Sequence, residues 1–187
     1  STRALEHQIS EYTKIDDAFA YTFPCKGHRF YVLTFPVADA THVYDTETNS
    51  WFEWKTYGIG RHLSNCHFFT NNTHYVGDFR NGNFYELDDD TYTDNSQPIE
   101  RIRRTQHQSK ENKNIFWQKL EIDFEPGRGT TTGQGVNPQA MLKWSDDGGF
   151  TWSSEIWRAI GKIGEYKNRA IWYGMGRSRD RVYELRV

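Results

Sequence analysis

One eight-residue segment constrains the fold of this chain more than any other part of its sequence. Residues 145–152 read Ser-Asp-Asp-Gly-Gly-Phe-Thr-Trp and match the Asp-box turn pattern S-x-D-x-G-x-T-W. The specified positions are Ser145, Asp147, Gly149, Thr151 and Trp152. Glycines accept the positive φ of a tight turn, and Ser and Asp side chains bond nearby backbone N–H groups. Because strand-like segments flank the motif, it predicts a β-hairpin in which Asp147 bonds within the turn and Trp152 is largely buried.

The composition favours β-structure and excludes one broad class of protein. Aromatic residues make up 16% of the chain, with short runs of Val, Ile and Thr between glycines, which is typical of strands joined by turns. A net charge of −2 and a pI near 6.4 argue against a globally basic nucleic-acid binder. The length of 187 residues is enough for one large or two small domains with a hydrophobic core.

The cysteines and the ends of the chain give weaker expectations. Cys25 and Cys66 are far apart in sequence and are expected to be reduced thiols, although a single disulfide between them stays open. No apolar run reaches the roughly 18 residues of a membrane-spanning helix, and no signal segment is present, so no membrane association is expected. Ser1 in place of Met suggests a processed end or the start of a fragment.

Short strands are predicted along most of the chain after one N-terminal helix. Residues 1–14 carry Leu5, Ile9 and Tyr12 at helical spacing, with Ser1 or Thr2 as the cap. Four strand-like segments follow and predict a propeller-like blade. They are 20–23, 30–35, 42–45 and 51–55. A similar set recurs about 40–50 residues later, at 67–70, 75–78 and 84–87. An ordinary antiparallel meander is the alternative.

Polar segments at 88–98 and 106–114 predict a division of the chain into residues 1–110 and 111–187. The second part is expected to be another β-unit, either sandwich-like or a further blade, that carries the Asp-box hairpin. Its first strand, 114–124, alternates from Phe116 and should bury Phe116 while Trp117 faces the other way. The last strands are expected at 168–173 and 181–187. The predicted fold is therefore all-β with a short N-terminal helical segment.

No catalytic, metal or cofactor site is predicted. The acidic residues Glu86, Asp88, Asp90 and Asp94 lack the central Gly and late Glu of a calcium loop, so a solvated turn is preferred. The histidines lack metal-site spacing, Ser64 and Ser178 lack a nucleophile-elbow context, and 127–135 lacks the ending of a phosphate loop. The chain is therefore expected not to be an enzyme.

Two arginine clusters are candidates for binding phosphates or an acidic protein surface. The first is Arg101, Arg103 and Arg104 with Lys110 and Lys113, and the second is Arg177, Arg179 and Arg181. A solvated strand edge whose charges discourage edge-to-edge pairing is the alternative for both. The Gly/Thr-rich loop between Gly127 and Gly135 has little to bury by itself and is expected to be mobile or held by a partner.

Several segments taken together resemble one known family. They include Gly-Asp-Phe-Arg-Asn-Gly-Asn-Phe-Tyr-Glu-Leu at 77–87 and the Asp-box region 141–152. The others are 31–36, 43–45, 103–105, 109–112, 164–166 and 176–183. In this order they are similar to the C-terminal portion of the packaged-DNA stabilisation proteins of short-tailed double-stranded-DNA bacteriophages. These proteins are also called tail hub or tail accessory proteins.

The resemblance implies a structural protein of the virion tail, made in the cytoplasm of the bacterial host. Family members close the portal channel after genome packaging and retain DNA in the head. The implied partners are the portal and adaptor proteins, the tail needle and the tailspikes, and the full-length protein is expected to form a hexameric ring with propeller-like blades. Direct contact with DNA stays open. In this interpretation Gly127, Gly135, Arg177, Arg179 and Arg181 are docking elements.

A glycan-binding or sialidase-like β-propeller is the rival interpretation, because Asp-boxes and surface aromatics are common in such proteins. A sialidase needs an arginine cluster, a Tyr nucleophile with a carboxylate partner, and usually several Asp-boxes. The chain has a single Asp-box, and no such set of residues can be assigned in its sequence. The tail-hub interpretation is therefore preferred.

Overall fold

A computed structural model of the chain describes residues 2–88, 91 and 93–187. Two compact units make up the chain, Ser1–Ile99 and Glu100–Val187. Within the described residues the fold is all-β, with antiparallel strand pairs, one short α-helix and one 3₁₀ turn at Gln134–Val136. The predicted fold class is confirmed at this level.

The N-terminal helix α1 spans Arg3–Ser10 and is shorter than the predicted segment 1–14. Thr2 caps it, since its side chain accepts a hydrogen bond from the Leu5 backbone N at 3.4 Å. Leu5 is buried, whereas Tyr12 lies beyond the helix. The Tyr12 hydroxyl contacts His42 Nε2 at 2.8 Å, and this contact explains why the apolar spacing continues past the last helical turn.

The first sheet, here called sheet 1, is a four-stranded antiparallel meander in the order of the chain. Its strands are β1 (Phe19–Cys25), β2 (His28–Phe35), β3 (Ala40–Asp45) and β4 (Ser50–Glu53). The turn between β1 and β2 consists of Lys26 and Gly27, which both have positive φ, as a two-residue hairpin turn requires. All four predicted strands of this part are present.

The second sheet, sheet 2, has three strands, β5 (Ser64–Thr70), β6 (Thr73–Asp78) and β7 (Phe84–Glu86). Its first hairpin turns at Asn71 and Asn72, again with positive φ at both residues. A small hairpin of β8 (Thr93–Asp94) and β9 (Gln97–Pro98) follows. The strands predicted at 67–70, 75–78 and 84–87 are therefore present, and the region predicted as an acidic turn includes Asp90, which lies outside the described residues.

Sheet 1 and sheet 2 pack against each other through contacts between aromatic and imidazole rings. One face of sheet 1, here called face A, carries the buried residues Phe23, Val32 and Val43. The Phe23 ring lies 6.0 Å from the ring of His67 and 5.9 Å from the ring of His74, both on sheet 2. Tyr21 stacks on His67 at 5.4 Å. The core of this unit is therefore largely aromatic.

The opposite face of sheet 1, face B, is met by the N-terminal segment. Tyr12 packs edge-on against Phe35 with ring centroids 5.2 Å apart, and it bonds His42 on the neighbouring strand. Phe35 and His42 are both buried. Both faces of sheet 1 are therefore occupied, face A by sheet 2 and face B by the segment around α1 and Tyr12.

Sheet 2 repeats the strand register of sheet 1, but the positions that correspond to face A are largely exposed, whereas face A of sheet 1 packs against sheet 2. When the two hairpin turns are aligned, Phe68, Tyr75 and Phe84 take the positions of Phe23, Phe30 and Val43 of face A. Their rings form a group, with Phe68 stacked on Tyr75 at 5.3 Å and edge-on to Phe84 at 5.4 Å. Phe84 is 61% exposed and Phe68 is also exposed. The side chains of sheet 2 that contact sheet 1 stand at face B positions.

The C-terminal unit contains nine short strands. They are β10 (Ile102–Arg104), β11 (Gln108–Ser109), β12 (Ile115–Phe116), β13 (Lys119–Ile122), β14 (Gln139–Ser145), β15 (Ile156–Ala159), β16 (Ala170–Tyr173), β17 (Arg177–Ser178) and β18 (Asp180–Arg186). One sheet has the order β10-β18-β14-β15, with β11 also paired to β18. β12 pairs with β17 and β13 with β16. Leu142, Trp172 and Met175 are at the centre of the core between them.

The division between the units differs from the predicted boundary at residues 110 and 111. Residues 100–110 belong with the C-terminal unit because their strands pair with β18. Arg101 and Val187 exchange two backbone hydrogen bonds, and Thr105 N donates to the Tyr183 carbonyl at 2.9 Å. The polar composition of 106–114 therefore marks an exposed segment inside this unit.

The predicted strand 114–124 is interrupted, and the predicted facing of Phe116 and Trp117 is wrong. Phe116 is 67% exposed, while Trp117 packs against the core and donates from Nε1 to Ser178 Oγ at 2.8 Å. The segment of the same chain that lies opposite explains why the facing is reversed. Gly174 and Gly176 both have positive φ and stand on either side of the buried Met175. Backbone bonds from this bend to 117 and 118 replace regular pairing, so the alternation resumes with Leu120 in the core.

Candidate docking surface of the C-terminal unit

The Asp-box turn connects β14 to the segment before β15 and is held by its own side chains. Ser145 is buried at the end of β14, where its Oγ donates to Asp147 Oδ1 at 2.6 Å and accepts from Gly149 N at 2.8 Å. Gly148 and Gly149 both have positive φ. A side chain at either position would be strained, so the turn favours glycine at both.

Asp147 bonds the far side of the same turn. Its carboxylate accepts from Thr151 N at 2.9 Å and from Thr151 Oγ1 at 2.6 Å, in addition to the Ser145 hydroxyl. The hydrogen bond from Ser145 first, and those from Thr151 next, lower the pKa of Asp147. The carboxylate therefore stays ionised, and no cation is among the partners that hold it.

Trp152 is half-buried, which corrects the expectation that it lies largely in the core. Its ring lies below two cations, with Arg104 at 5.4 Å and Lys143 at 5.1 Å from the ring centroid. Its Nε1 donates back to the Gly149 carbonyl at 3.1 Å. The indole therefore lies at the surface, where it packs between the turn and two charged side chains.

Glu184 joins those two cations beneath the surface. It is 3% exposed, and its carboxylate accepts from Arg104 Nε at 2.6 Å and pairs with Lys143 Nζ at 2.8 Å. Burial by itself would raise the pKa of Glu184, but the hydrogen bonds from Lys143 and Arg104 outweigh it and lower the pKa. Of the first predicted arginine cluster, Arg104 is therefore a structural residue.

Arg181 is also structural, which corrects its predicted role as a free docking residue. Its side chain is 1% exposed, and its guanidinium contacts Asp146 in a fork with distances of 2.6 and 2.8 Å. Nη1 donates to the Met175 carbonyl at 2.7 Å. Since Asp146 is the second residue of the Asp-box, Arg181 connects the turn to the bend at Gly174–Gly176 and thereby to the core.

Arg177 and Arg179 differ from Arg181 although they alternate with it in sequence. Both are exposed, and neither side chain bonds another group within the part of the chain that the structure describes. The cause is a change of direction, since Arg177 lies on β17 and Arg181 on β18. Spacing alone could not distinguish these residues, because the predicted strand began at residue 181 itself.

The Gly127–Gly135 loop is tied at its base and folded on itself. Gly127 N donates to the Gly161 carbonyl at 3.0 Å, and Thr130 N donates to the Gly135 carbonyl at 3.1 Å. A side chain at Gly127 would enter the ring of Tyr166, with Cδ1 at 2.2 Å from the added Cβ. The loop therefore has backbone hydrogen bonds of its own, and its mobility or binding to a partner stays a prediction.

An apolar groove at the edge of this unit was not found from the sequence. It has a volume of about 160 Å³, and its walls come from β10, β13, β14 and β18. The main apolar residues are Leu120, Ile122, Leu142, Tyr183 and Leu185. Arg103 also lines the groove, and neither Arg103 nor Arg101 has a side-chain partner among the described residues. The alternation in 181–187 indicated buried residues. It did not indicate that the sheet of β10, β14 and β18 and the strand β13 leave a groove between them.

The described residues give no support to a metal site or a membrane span. No group of three or more His, Cys, Asp or Glu side chains in that part of the chain is arranged to hold a metal. Asp94 accepts from Thr56 Oγ1 at 2.6 Å, so one of the predicted acidic residues has a structural bond. None of the helices described is long and apolar enough to cross a membrane. Neither Cys25 nor Cys66 forms a disulfide in the described part of the chain.

Comparison with protein families gives a match to the C-terminal unit. Residues 100–187 match the family model described as Bacteriophage P22 Gp10, beta-sandwich. The matched residues coincide with the C-terminal unit, Glu100–Val187, including the segment 100–110 that pairs with β18. No curated protein matches the chain. The C-terminal unit, residues 100–187, is therefore similar to the P22 Gp10 beta-sandwich family, a tail hub family of short-tailed bacteriophages.

Proposed function

We propose that this protein is a structural component of a phage tail hub and has no catalytic activity. In this role it closes the portal channel after genome packaging, retains the DNA in the head and carries the tail needle and tailspikes. The observation that supports it best is the family match over the whole C-terminal unit. The protein would be made in the host cytoplasm and act in the virion tail, as a hexameric ring when full length.

Portal and adaptor proteins are the proposed partners of the exposed cations on the C-terminal unit. Arg177 and Arg179 have no partners among the described residues, and a forked guanidinium suits a carboxylate or phosphate surface. The folded Gly127–Gly135 loop offers a second contact with a defined shape. Arg181 and Arg104 are excluded from this surface because both are occupied inside the unit.

Sheet 1 and sheet 2 are proposed to be two consecutive blades of a propeller. The support is the direction of their packing, in which face A of sheet 1 meets the face B positions of sheet 2. Such a contact leaves the face A positions of sheet 2, with Phe68, Tyr75 and Phe84, available for a further sheet. Three strands in sheet 2 are fewer than a full blade contains, and the fourth would come from elsewhere in the assembled protein.

The tail-hub role is tested by assembly in the parent phage. Replacing both Arg177 and Arg179 with Ala should leave the unit folded, lower binding to portal–adaptor complexes and make packaged DNA accessible to nuclease. The control replaces Lys162 and Lys167 with Ala, because both are exposed cations outside the two arginine clusters. Assembly and DNA retention equal to the parent in the arginine variant would contradict the docking role. Hydrolysis of sialosides that depends on a single Tyr or Glu would contradict the non-catalytic role.

A further inference from the structure

The tip of the Asp-box hairpin presents one apolar side chain to solvent. Phe150 is 90% exposed, the largest exposure among the large apolar residues of the described chain. It stands between Gly149, whose N–H bonds Ser145, and Thr151, which Asp147 holds through two atoms. Because the turn is already ordered, little conformational entropy would be lost when Phe150 enters a binding site.

The charge beside Phe150 is negative. Asp146 is balanced by Arg181, but the partners of Asp147 are the hydroxyls of Ser145 and Thr151 and the Thr151 backbone N–H. No cation compensates Asp147 among the described residues. The hairpin tip therefore combines an exposed phenyl ring with a fixed carboxylate.

The groove beside β10 has the opposite properties. Its volume is about 160 Å³ and its walls are mainly apolar. An apolar cavity of about 150 Å³ accepts benzene in another protein, so a phenyl ring is a suitable occupant. Arg103 is one of the residues that line the groove, Arg101 is two residues earlier in the chain, and neither guanidinium has a partner among the described residues.

We propose that Phe150 of one copy of this protein enters the groove beside β10 of a second copy, with Asp147 facing Arg101 and Arg103. The argument is complementarity of shape and of charge between two surfaces of the same C-terminal unit. The surfaces differ, so the contact is heterologous: each copy offers one tip and one groove. Repetition of such a contact gives a ring if the rotation closes and a chain of copies if it does not. The contact rests on the proposed ring of copies, for which it names the two surfaces that would meet, and it does not depend on any other tail protein.

Sedimentation equilibrium of the 187-residue chain tests the contact at concentrations up to about 1 mM. At that concentration a contact with a dissociation constant of about 1 mM would be formed by a substantial fraction of the copies. The mean mass of the parent should rise above that of the 22.1 kDa single chain as concentration increases. Phe150→Ser should remain a single chain, and so should the double variant Arg101→Glu with Arg103→Glu. Phe116→Ser and the pair Arg177→Glu with Arg179→Glu are the controls and should associate as the parent does.

Mixing the two non-associating variants provides the decisive measurement. The Phe150→Ser chain retains its groove and the double glutamate chain retains its tip, so an equal mixture should form complexes of two chains and none larger. Circular dichroism and hydrogen exchange confirm that each variant is folded. A parent that stays a single chain throughout, variants that associate alone, or a mixture that gives no complex would each overturn the proposal. Failure of Arg177→Ala with Arg179→Ala to affect tail assembly would leave this result unchanged, so the two proposals are tested separately.

Discussion

The two units stabilise their strand contacts by different physical means. Between sheet 1 and sheet 2 of the N-terminal unit the contact is made by aromatic and imidazole rings, such as Phe23, Tyr21 and His67. In the C-terminal unit, side chains with opposite charges connect the hairpins, as Arg181 does with Asp146 and Glu184 does with Arg104. Stacked rings depend on shape and on neutral imidazoles, whereas the ion pairs depend on complete sets of partners. The units should therefore respond differently to truncation and to acid.

Truncation of the ring contact should give the largest effect. Phe23→Ala removes a buried phenyl ring that touches both sheets, and we expect the free energy of unfolding of the N-terminal unit to fall by about 3–5 kcal/mol. Hydrogen exchange resolved by peptide would report the loss in residues 19–78 and not in the C-terminal unit. Phe84→Ala is the control, since that ring is exposed. An equal loss in both units would remove the distinction between them.

Removal of a buried cation should be the next largest effect. Arg181→Ala leaves Asp146 and the Met175 carbonyl without their partner, at a cost of about 3 kcal/mol to the C-terminal unit. Since Asp146 is partly exposed to water, we expect the lower end of the range for buried pairs. Adding Asp146→Ala should recover part of the loss, and Arg179→Ala should change stability little. Chemical denaturation measures all three, and a neutral Arg181→Ala would show that the charge network is dispensable.

Trp152→Ala should have a smaller effect than the truncation of a core aromatic. The half-buried indole packs under Arg104 and Lys143, and cation–π contacts at exposed sites contribute about 0.5–1 kcal/mol each. We expect a loss of about 1–2 kcal/mol in total, measured by denaturation of the C-terminal unit. Ser145→Ala is a useful comparison, because it leaves the Gly149 N–H of the same turn without an acceptor. A loss as large as that of Phe23→Ala would mean that Trp152 is a core residue after all.

Mild acid should destabilise the N-terminal unit but not the C-terminal unit, and this should be the smallest of the expected changes in the free energy of unfolding. Burial lowers the pKa of His62 and of His67 below the ordinary value of 6.5, and the neighbouring His74 also lowers that of His67. Because the unfolded chain then binds more protons, the N-terminal unit should lose stability as the pH falls below about 6.5. In the C-terminal unit, the pKa values of Asp147 and Glu184 are lowered, so its stability should persist until the pH falls below about 4.5.

Hydrogen exchange at pH 7 and pH 5.5 would measure this selectivity in both units at once. His67→Gln should weaken the pH dependence of the N-terminal unit, since a neutral side chain then occupies the site at both pH values. His107→Gln, in the C-terminal unit, is the control. Equal destabilisation of the two units over this range would contradict the difference between ring contacts and ion pairs.

Local sequence patterns were sufficient to predict most strands. They could not predict the features that depend on contacts between residues far apart in the chain. Alternation and two-residue turns predicted β1 to β7 to within a few residues, because those features depend on neighbours in the chain. The interruption at Phe116 and Trp117 was missed because its cause lies in Gly174 and Gly176, more than fifty residues later. The burial of Arg181 was missed for the same reason, since it depends on Asp146. The groove beside β10 depends on where two sheets separate, which no single segment encodes.

The packing of sheet 1 has a consequence for the order of events during synthesis. Its two faces are not equivalent, so the stack of α1, sheet 1 and sheet 2 has a direction, and that direction is the same as the order of the chain. The segment that contacts face B leaves the ribosome before sheet 1, and sheet 1 leaves it before sheet 2, so each element can pack on the one made before it. Folding of the N-terminal unit can therefore proceed vectorially, with Phe68, Tyr75 and Phe84 as the last surface of the stack to be offered to solvent.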